Sequence, residues 1–428
     1  MTASTSRRFL AGGAVLGLLL AGCRAAPAAT PTPIAVPSPS PTRPLPVPSP
    51  YPTGEPTAAS TLTGHVRLWL DWGPAEMAAL RILMEGFILA NPGVEFDLTY
   101  YATAELQAAF EAAAADGRGP TILLGPDVWG PILWREGLIL DVAELLAPGM
   151  REAIQPLALG QAVYGNAVLG VPLEMQGVVL YANRQLMPAP AGTVEDLLRS
   201  RGAPDLGFDF SGSQLATCGG AWIGEDGAPT FDGPAGVCWL ELMTTVAQAD
   251  PVTYNTDDDL ALFEAGQAAW LLDGTWNRER LEDALGEESL AIDSWPIDDR
   301  THTPLCGFVW TENAYLAADL DPSDLAASWE FVRFLLSQEV QTTLSEVDGA
   351  AHLPAAAGIW LTDPLMEQAA AVVSLGTPFP IQPEIELYRG PVERSIFAIL
   401  RQGAEPEIAI QRAAAEIRAA LAPASPEG

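Results

Sequence analysis

Residues 65–124 alternate strand, helix, strand, helix, strand, and this alternation constrains the fold more than any other feature of the chain. His65-Val66-Arg67-Leu68-Trp69-Leu70 has the composition of a strand. Leu80, Leu83, Met84 and Phe87 recur at the spacing of one helix face. Asn91-Pro92-Gly93 breaks that helix. Val94 to Tyr101 reads as a second strand, Leu106 to Ala115 as a second helix ending around Gly117, and Thr121 to Leu124 as a short buried strand. A βαβαβ start predicts a largely parallel sheet with helices on both faces. Further on, Leu325, Trp329, Val332 and Leu336 mark a helix. So do Ile410, Ala413, Ala414, Ile417 and Leu421, after Pro406 at a first helical position. Trp329, Trp239 and Trp270 sit on periodic apolar faces and read as core. No sequence repeat is present.

The N-terminus is of a different kind. Arg7 and Arg8 precede an apolar run from Phe9 to Leu20, and Leu20-Ala21-Gly22-Cys23 follows at once. So short a run ending in small residues reads as a signal peptide, residues 1–22. Its end resembles the lipobox of bacterial lipoproteins, which implies that Cys23 is lipidated and becomes the mature N-terminus. Ser6-Arg7-Arg8-Phe9-Leu10 resembles a twin-arginine signal but lacks the residue that normally separates the second Arg from the Phe, so the export route stays open. From Arg24 to about Pro56 the chain is Pro, Ala, Thr and Ser, too poor in large apolar residues to fold alone. Residues 23–63 therefore read as an extended tether of polyproline character, with the globular part starting near Gly64.

Charge and cysteine usage narrow the function classes. The formal net charge is −33, with 54 acidic residues against 21 basic ones, and no Lys occurs. Losing Arg7 and Arg8 with the signal makes the mature chain more negative still. Such a surface repels nucleic acid. Without Lys there can be no Walker A loop, and the Gly-x-Ser-x-Gly, His-Glu-x-x-His and EF-hand patterns are also missing. Of four Cys, Cys23 is assigned to the lipid. Cys218 and Cys238 flank a Gly-rich segment and would pair in an oxidising exterior, though the sequence leaves their pairing open. Cys306 is left as a buried small residue. With no Cys-x-x-Cys and only His65, His302 and His352 scattered along the chain, no metal site and no cofactor is expected.

The order of segments from residue 64 to 421 resembles the extracellular solute-binding proteins of ABC importers, in the branch around maltose-binding protein. Val66 to Trp69 with Asn91-Pro92-Gly93-Val94 matches that family's first two strands. Gly119-Pro120-Thr121-Ile122-Leu123-Leu124-Gly125-Pro126-Asp127 matches its third, with Thr121 in place of an Asp. Gly137 to Asp141, Val163-Tyr164-Gly165 with Gly170-Val171-Pro172, Val179 to Asn183 and Gly192 to Leu197 follow in order, Asn166 replacing a Lys. Phe263 to Trp270, Gly274-Thr275-Trp276 (Thr275 replacing a Pro) and Ser328 to Leu335 complete the series. The resemblance implies an α/β, two-lobed periplasmic-binding-protein fold of type II with a multi-strand hinge. Lobe one would be 64–172 with 306–353, and lobe two 176–303 with 356–422. Crossovers would lie near Pro172, Pro304 and Pro354, with ligand held between the lobes.

A sugar needs flat aromatics for its C–H face and carboxylates or amides for its hydroxyls. Candidate ligand contacts are Asp71, Trp72 and Glu76 after the first strand, Asp127 and Trp129 after the third, and Gln176 past the first crossover. To these are added Trp222, Asp273, Trp276, Trp310, Glu312 and Tyr388. Trp276 matches the family's stacking Trp. For the four carboxylates near helix starts, a capping role is equally good chemistry. The implied function is non-enzymatic: a lipid-anchored receptor on the outer face of the membrane that captures a carbohydrate and delivers it to ABC permease subunits. A monomer is expected. A secreted carbohydrate-active hydrolase and a transport-inactive sensor lipoprotein are the alternatives.

Overall fold

The first strand, Thr63–Leu70, buries Val66, Leu68 and Leu70 completely and presents alternate residues outward. It stands at the centre of a parallel trio. Gly93–Tyr100 pairs with it in register from Thr63 opposite Gly93 to Leu70 opposite Tyr100, and Ile122–Pro126 lies along its other edge. The connecting helix Pro74–Ala90 begins on Pro74, whose missing N–H costs nothing at a first helical position. It turns Met77, Leu80, Met84 and Phe87 to the sheet. Phe87 meets Phe96 and Phe331 edge to face, at 5.8 and 5.1 Å between centroids. The computed structural model describes residues 60–249, 251–253, 255–347 and 352–422. The expected signal peptide, Cys23 and the tether up to residue 59 lie outside the described residues.

The strand Val171–Asn183 organises the rest. Its 13 residues are buried except at Gln176, and it changes partners midway. From Val171 to Gly177 it runs antiparallel to the strand Phe308–Leu316, Val309 facing Gly177 and Ala314 facing Val171. From Val178 onward it pairs instead with Trp270–Gly274 and then Leu290–Asp293. The sheet therefore reads Gly93–Tyr100, Thr63–Leu70, Ile122–Pro126, Phe308–Leu316, Val171–Asn183, Trp270–Gly274, Gly202–Ala203. The partner switch falls between Gly177 and Val178. Gly307 is needed beside it, because a Cβ there would sit 1.9 Å from the Val178 carbonyl oxygen.

The sheet is mixed, not largely parallel as the opening alternation predicts. Phe308–Leu316 is antiparallel to Ile122–Pro126 and to Val171–Asn183, and parallel to the two-residue strand Thr377–Pro378. It returns from the far half of the molecule by a strand crossing, and only strands linked by a crossover helix are obliged to run parallel. The helices expected near residues 325–336 and 410–421 form as Pro322–Leu335 and Pro406–Leu421. Trp239 and Trp270 are fully buried, and Trp329 packs half-buried against the core. Cys218 and Cys238 form a disulfide with an S–S distance of 1.98 Å, and Cys306 is a buried free thiol. Among the described residues no helix is long and apolar enough to cross a membrane.

Candidate functional site

Five of the predicted contacts converge at the partner switch. Asp71, Trp72 and Glu76 leave the end of the first strand and enter the following helix. Gln176 comes from the long strand and Glu312 from the returning one. With Gly73 and Glu174 they line a pocket of about 240 Å³. Register explains the meeting: Glu312 faces Glu174 across the antiparallel ladder and Trp310 faces Gln176, so all four side chains share one face. The Trp72 indole N–H donates to Glu312 Oε1 at 2.8 Å, and Gln176 Nε2 donates to Glu174 Oε1 at 3.0 Å. Glu76 Oε2 accepts from the Gly73 N–H at 2.9 Å. It thus closes the helix N-terminus, the capping role that its position allowed, while facing the pocket.

The electrostatics are one-sided. Glu312 is held well above the usual carboxylate range by burial first, then by the charges of Glu174, Asp71 and Glu76. Burial and Glu174 raise Glu76 in the same way. Behind them His352 is fully buried, its ring edge-on to Trp72 at 5.5 Å. Its Nδ1 lies 3.3 Å from Glu174 Oε2. Burial opposes a charge on this imidazole, yet Glu174, Glu76 and the Leu173 carbonyl leave its pKa above the ordinary value. Glu76, Glu174 and His352 each bring a ligand-type atom into a group spanning 4.8 Å, an arrangement the scattered histidines of the sequence gave no reason to expect. Glu174 and His352 were not among the predicted contacts. Glu174 reads in sequence as one residue of a buried apolar strand, and His352 reaches it across 178 residues of chain.

An aromatic wall adjoins the pocket. Trp276 follows the strand Trp270–Gly274 on a single 3₁₀ turn, Thr275–Asn277, and is 41% exposed. Its indole lies over Gly274, where a Cβ would come within 2.1 Å of the ring, so only glycine permits this placement. Trp276 meets Trp310 edge to face at 5.9 Å, and Trp310 stacks on Phe379 at 5.1 Å with 28° between the planes. Trp310 is two residues from Glu312 on the same strand face, which sets the wall directly beside the carboxylates.

The other predicted contacts do not join this site. Trp222 is buried among Phe208, Phe231 and Trp239, and its indole N–H donates to the Gly212 carbonyl at 2.8 Å. Tyr388 is fully buried because its hydroxyl donates to the Gly227 carbonyl at 2.8 Å. Asp127 lies under the sheet crossing, 1% exposed. Its Oδ2 accepts from Gln161 Nε2 and from the Thr311 N–H, both at 2.9 Å, and Oδ1 has no partner. Burial raises its pKa to about 7. Asp273 is also buried; it caps the turn that carries Trp276, accepting from the Gly274 N–H and from Asn277, and burial raises it to about 6. Trp129 is half-buried with its ring against Gly125. Trp222 also borders a second cavity of about 290 Å³ that reaches Gln161, Phe379 and Gln382.

Residues 83–371 match the family described as bacterial extracellular solute-binding protein. No curated protein matches the chain in sequence. Solved structures match over most of its length. A maltose/maltodextrin-binding domain from Bdellovibrio bacteriovorus bound to maltotriose is 22% identical, covers 83% of this chain and 99% of its own, and gives a TM-score of 0.65. A cyclic alpha-maltosyl-1,6-maltose binding protein from Arthrobacter globiformis is 15% identical over 84% and 99%, with a TM-score of 0.74. An extracellular solute-binding protein from Staphylococcus aureus in complex with maltose is 16% identical over 85% and 99%, with a TM-score of 0.73. These likenesses establish the type II fold, and the family match covers more than half of the chain. With the family matched over residues 83–371 and a pocket where its two-part sheet crosses, the chain belongs to the bacterial extracellular solute-binding proteins, a family of substrate-binding proteins and not of enzymes.

Proposed function

We propose that this protein captures a carbohydrate at the strand crossing and hands it to the permease of an ABC importer, while Cys23 holds it by a lipid to the outer face of the cell membrane. One observation carries the sugar reading: the Trp276–Trp310–Phe379 wall stands beside a pocket of carboxylates and an amide, Asp71, Glu76, Glu174, Gln176 and Glu312. An aromatic face offers a sugar ring a large contact at low entropic cost, since the side chain has few rotatable bonds. Carboxylates and amides take up hydroxyl donors in fixed directions. That three neighbours of the same fold are named or complexed with maltose-type saccharides supports the reading.

The lobes in this account are 64–172 with 306–353 and 176–303 with 356–422. Ligand completes contacts that only the closed arrangement makes. Arg135 and Glu384, 3.0 Å apart, fall on opposite lobes and tie them across the cleft.

The test is Trp276→Ala. Because the side chain is 41% exposed, its truncation should leave the melting temperature without ligand close to wild type. Losing a stacking anchor costs on the order of 2 kcal/mol, about thirtyfold in affinity. Calorimetry of both proteins against the best sugar from a thermal-shift panel measures it, and unchanged affinity overturns the assignment. For the anchor, Cys23→Ala should release the chain from washed membranes, and retention there contradicts lipidation.

A further inference from the structure

The pocket has an imbalance that a neutral sugar does not explain. Asp71, Glu76, Glu174 and Glu312 face one space of about 240 Å³, and neither Arg nor Lys lines it. The groups that titrate around it are those four carboxylates and His352. His352 is fully buried, with Nδ1 3.3 Å from Glu174 Oε2. Four acids gathered beside a single buried histidine leave the pocket rich in acceptors and short of positive charge. Hydroxyl groups can hydrogen-bond carboxylates, but they do not discharge them, and like charges this close disfavour one another.

We propose that the captured solute carries a protonated amine, seated among Glu76, Glu174 and Glu312 with Asp71, while its ring lies on the wall of Trp276 and Trp310. This rests on the carbohydrate reading and narrows it to aminated saccharides. The amine is the complement of the site in three respects. It supplies the missing positive charge. It is a multiple N–H donor where the pocket offers chiefly acceptors. It also sits beside an indole pair, whose π faces attract cations. A bare divalent ion suits the site less well. The pocket has several times the volume of one water, and the histidine of the three-residue group lies behind the carboxylates, outside the residues that line it.

The experiment is isothermal calorimetry on the full chain with chitotriose, in which every unit bears a free amine, against maltotriose and triacetylchitotriose, with spermidine and zinc or calcium chloride as further arms. Chitotriose should bind at least about tenfold tighter than either neutral trisaccharide. Glu174→Gln and Glu312→Gln should each weaken chitotriose about tenfold more than they weaken maltotriose, the scale of one lost charge-assisted bond. Glu312→Gln should melt at or above wild type without ligand, since it removes repulsion and keeps an acceptor for the Trp72 N–H. Equal affinity for the charged and neutral trisaccharides overturns the amine and leaves the carbohydrate reading standing. Binding of spermidine without any saccharide upholds the cation and overturns the carbohydrate. Tight binding of the metal ion alone overturns the amine in favour of a metal centre, and silence in all arms overturns both readings.

Discussion

Asp127 separates what a side chain is from where it sits. Its sequence position, at the end of a strand facing a helix start, suggested a ligand contact, yet the fold turns it inward beneath Thr311 and Gln161. Its folded pKa of about 7 lies above the ordinary value of about 3.9. From about pH 4 to about pH 7 the folded state therefore holds a proton that the unfolded state has released. Stability falls as pH rises through that window and stays low above it, by up to about 4 kcal/mol for this group. Asp273 and Asp259, raised to about 6 and about 7, act with the same sign. Asp127→Asn places an amide oxygen where Oδ2 accepts and an amide where Oδ1 has no partner. Melting temperatures should show the variant more stable than wild type above pH 7 and less sensitive to pH; an unchanged slope contradicts this. The aromatic residues were legible by halves. Trp276 after a strand and a glycine could be read as exposed, and it is. Trp222 and Tyr388 stood in equally loop-like contexts. Their burial depends on carbonyl partners, Gly212 and Gly227, that only the tertiary fold supplies.

Local periodicity located the elements well, because the period of the apolar pattern is a local property. The strands Thr63–Leu70 and Gly93–Tyr100 and the helices Pro322–Leu335 and Pro406–Leu421 lie within a few residues of where it put them. Partner choice was not legible. Val171–Asn183 is apolar almost throughout, and nothing in such a run marks Gly177 and Val178 as the point where one set of neighbours gives way to another. Glu174 went unread for the same reason: its role comes from lying opposite Glu312 on a strand 138 residues away. The Arg135–Glu384 pair belongs to this scale, joining a short helix, Gly130–Arg135, to the turn before Glu386–Gln402. Arg135 is 52% exposed, so the pair is worth at most about 1 kcal/mol. If it forms only on closure, Arg135→Ala should raise the sugar Kd about two- to fivefold and leave the unliganded melting temperature alone. A lowered melting temperature with unaltered affinity would make it an ordinary surface ion pair.

At the scale of the whole molecule, the proposed capture of a solute rests on the two-part sheet and the pocket at its crossing. The family was legible because many weak segment matches fell in the right order. The chemistry of the pocket was not, because it is assembled from residues 71–76, 174–176, 312 and 352. The central claim is that solute binds where the long strand changes partners, against Trp276 and Trp310. A crystal structure of the chain with the tightest-binding saccharide from a thermal-shift panel tests it most directly. The sugar ring should pack on Trp276 and Trp310, with its polar groups on Asp71, Glu76, Glu174 and Glu312. A saccharide lodged instead in the cavity between Trp222, Gln161 and Gln382, with the carboxylate pocket empty, would contradict it.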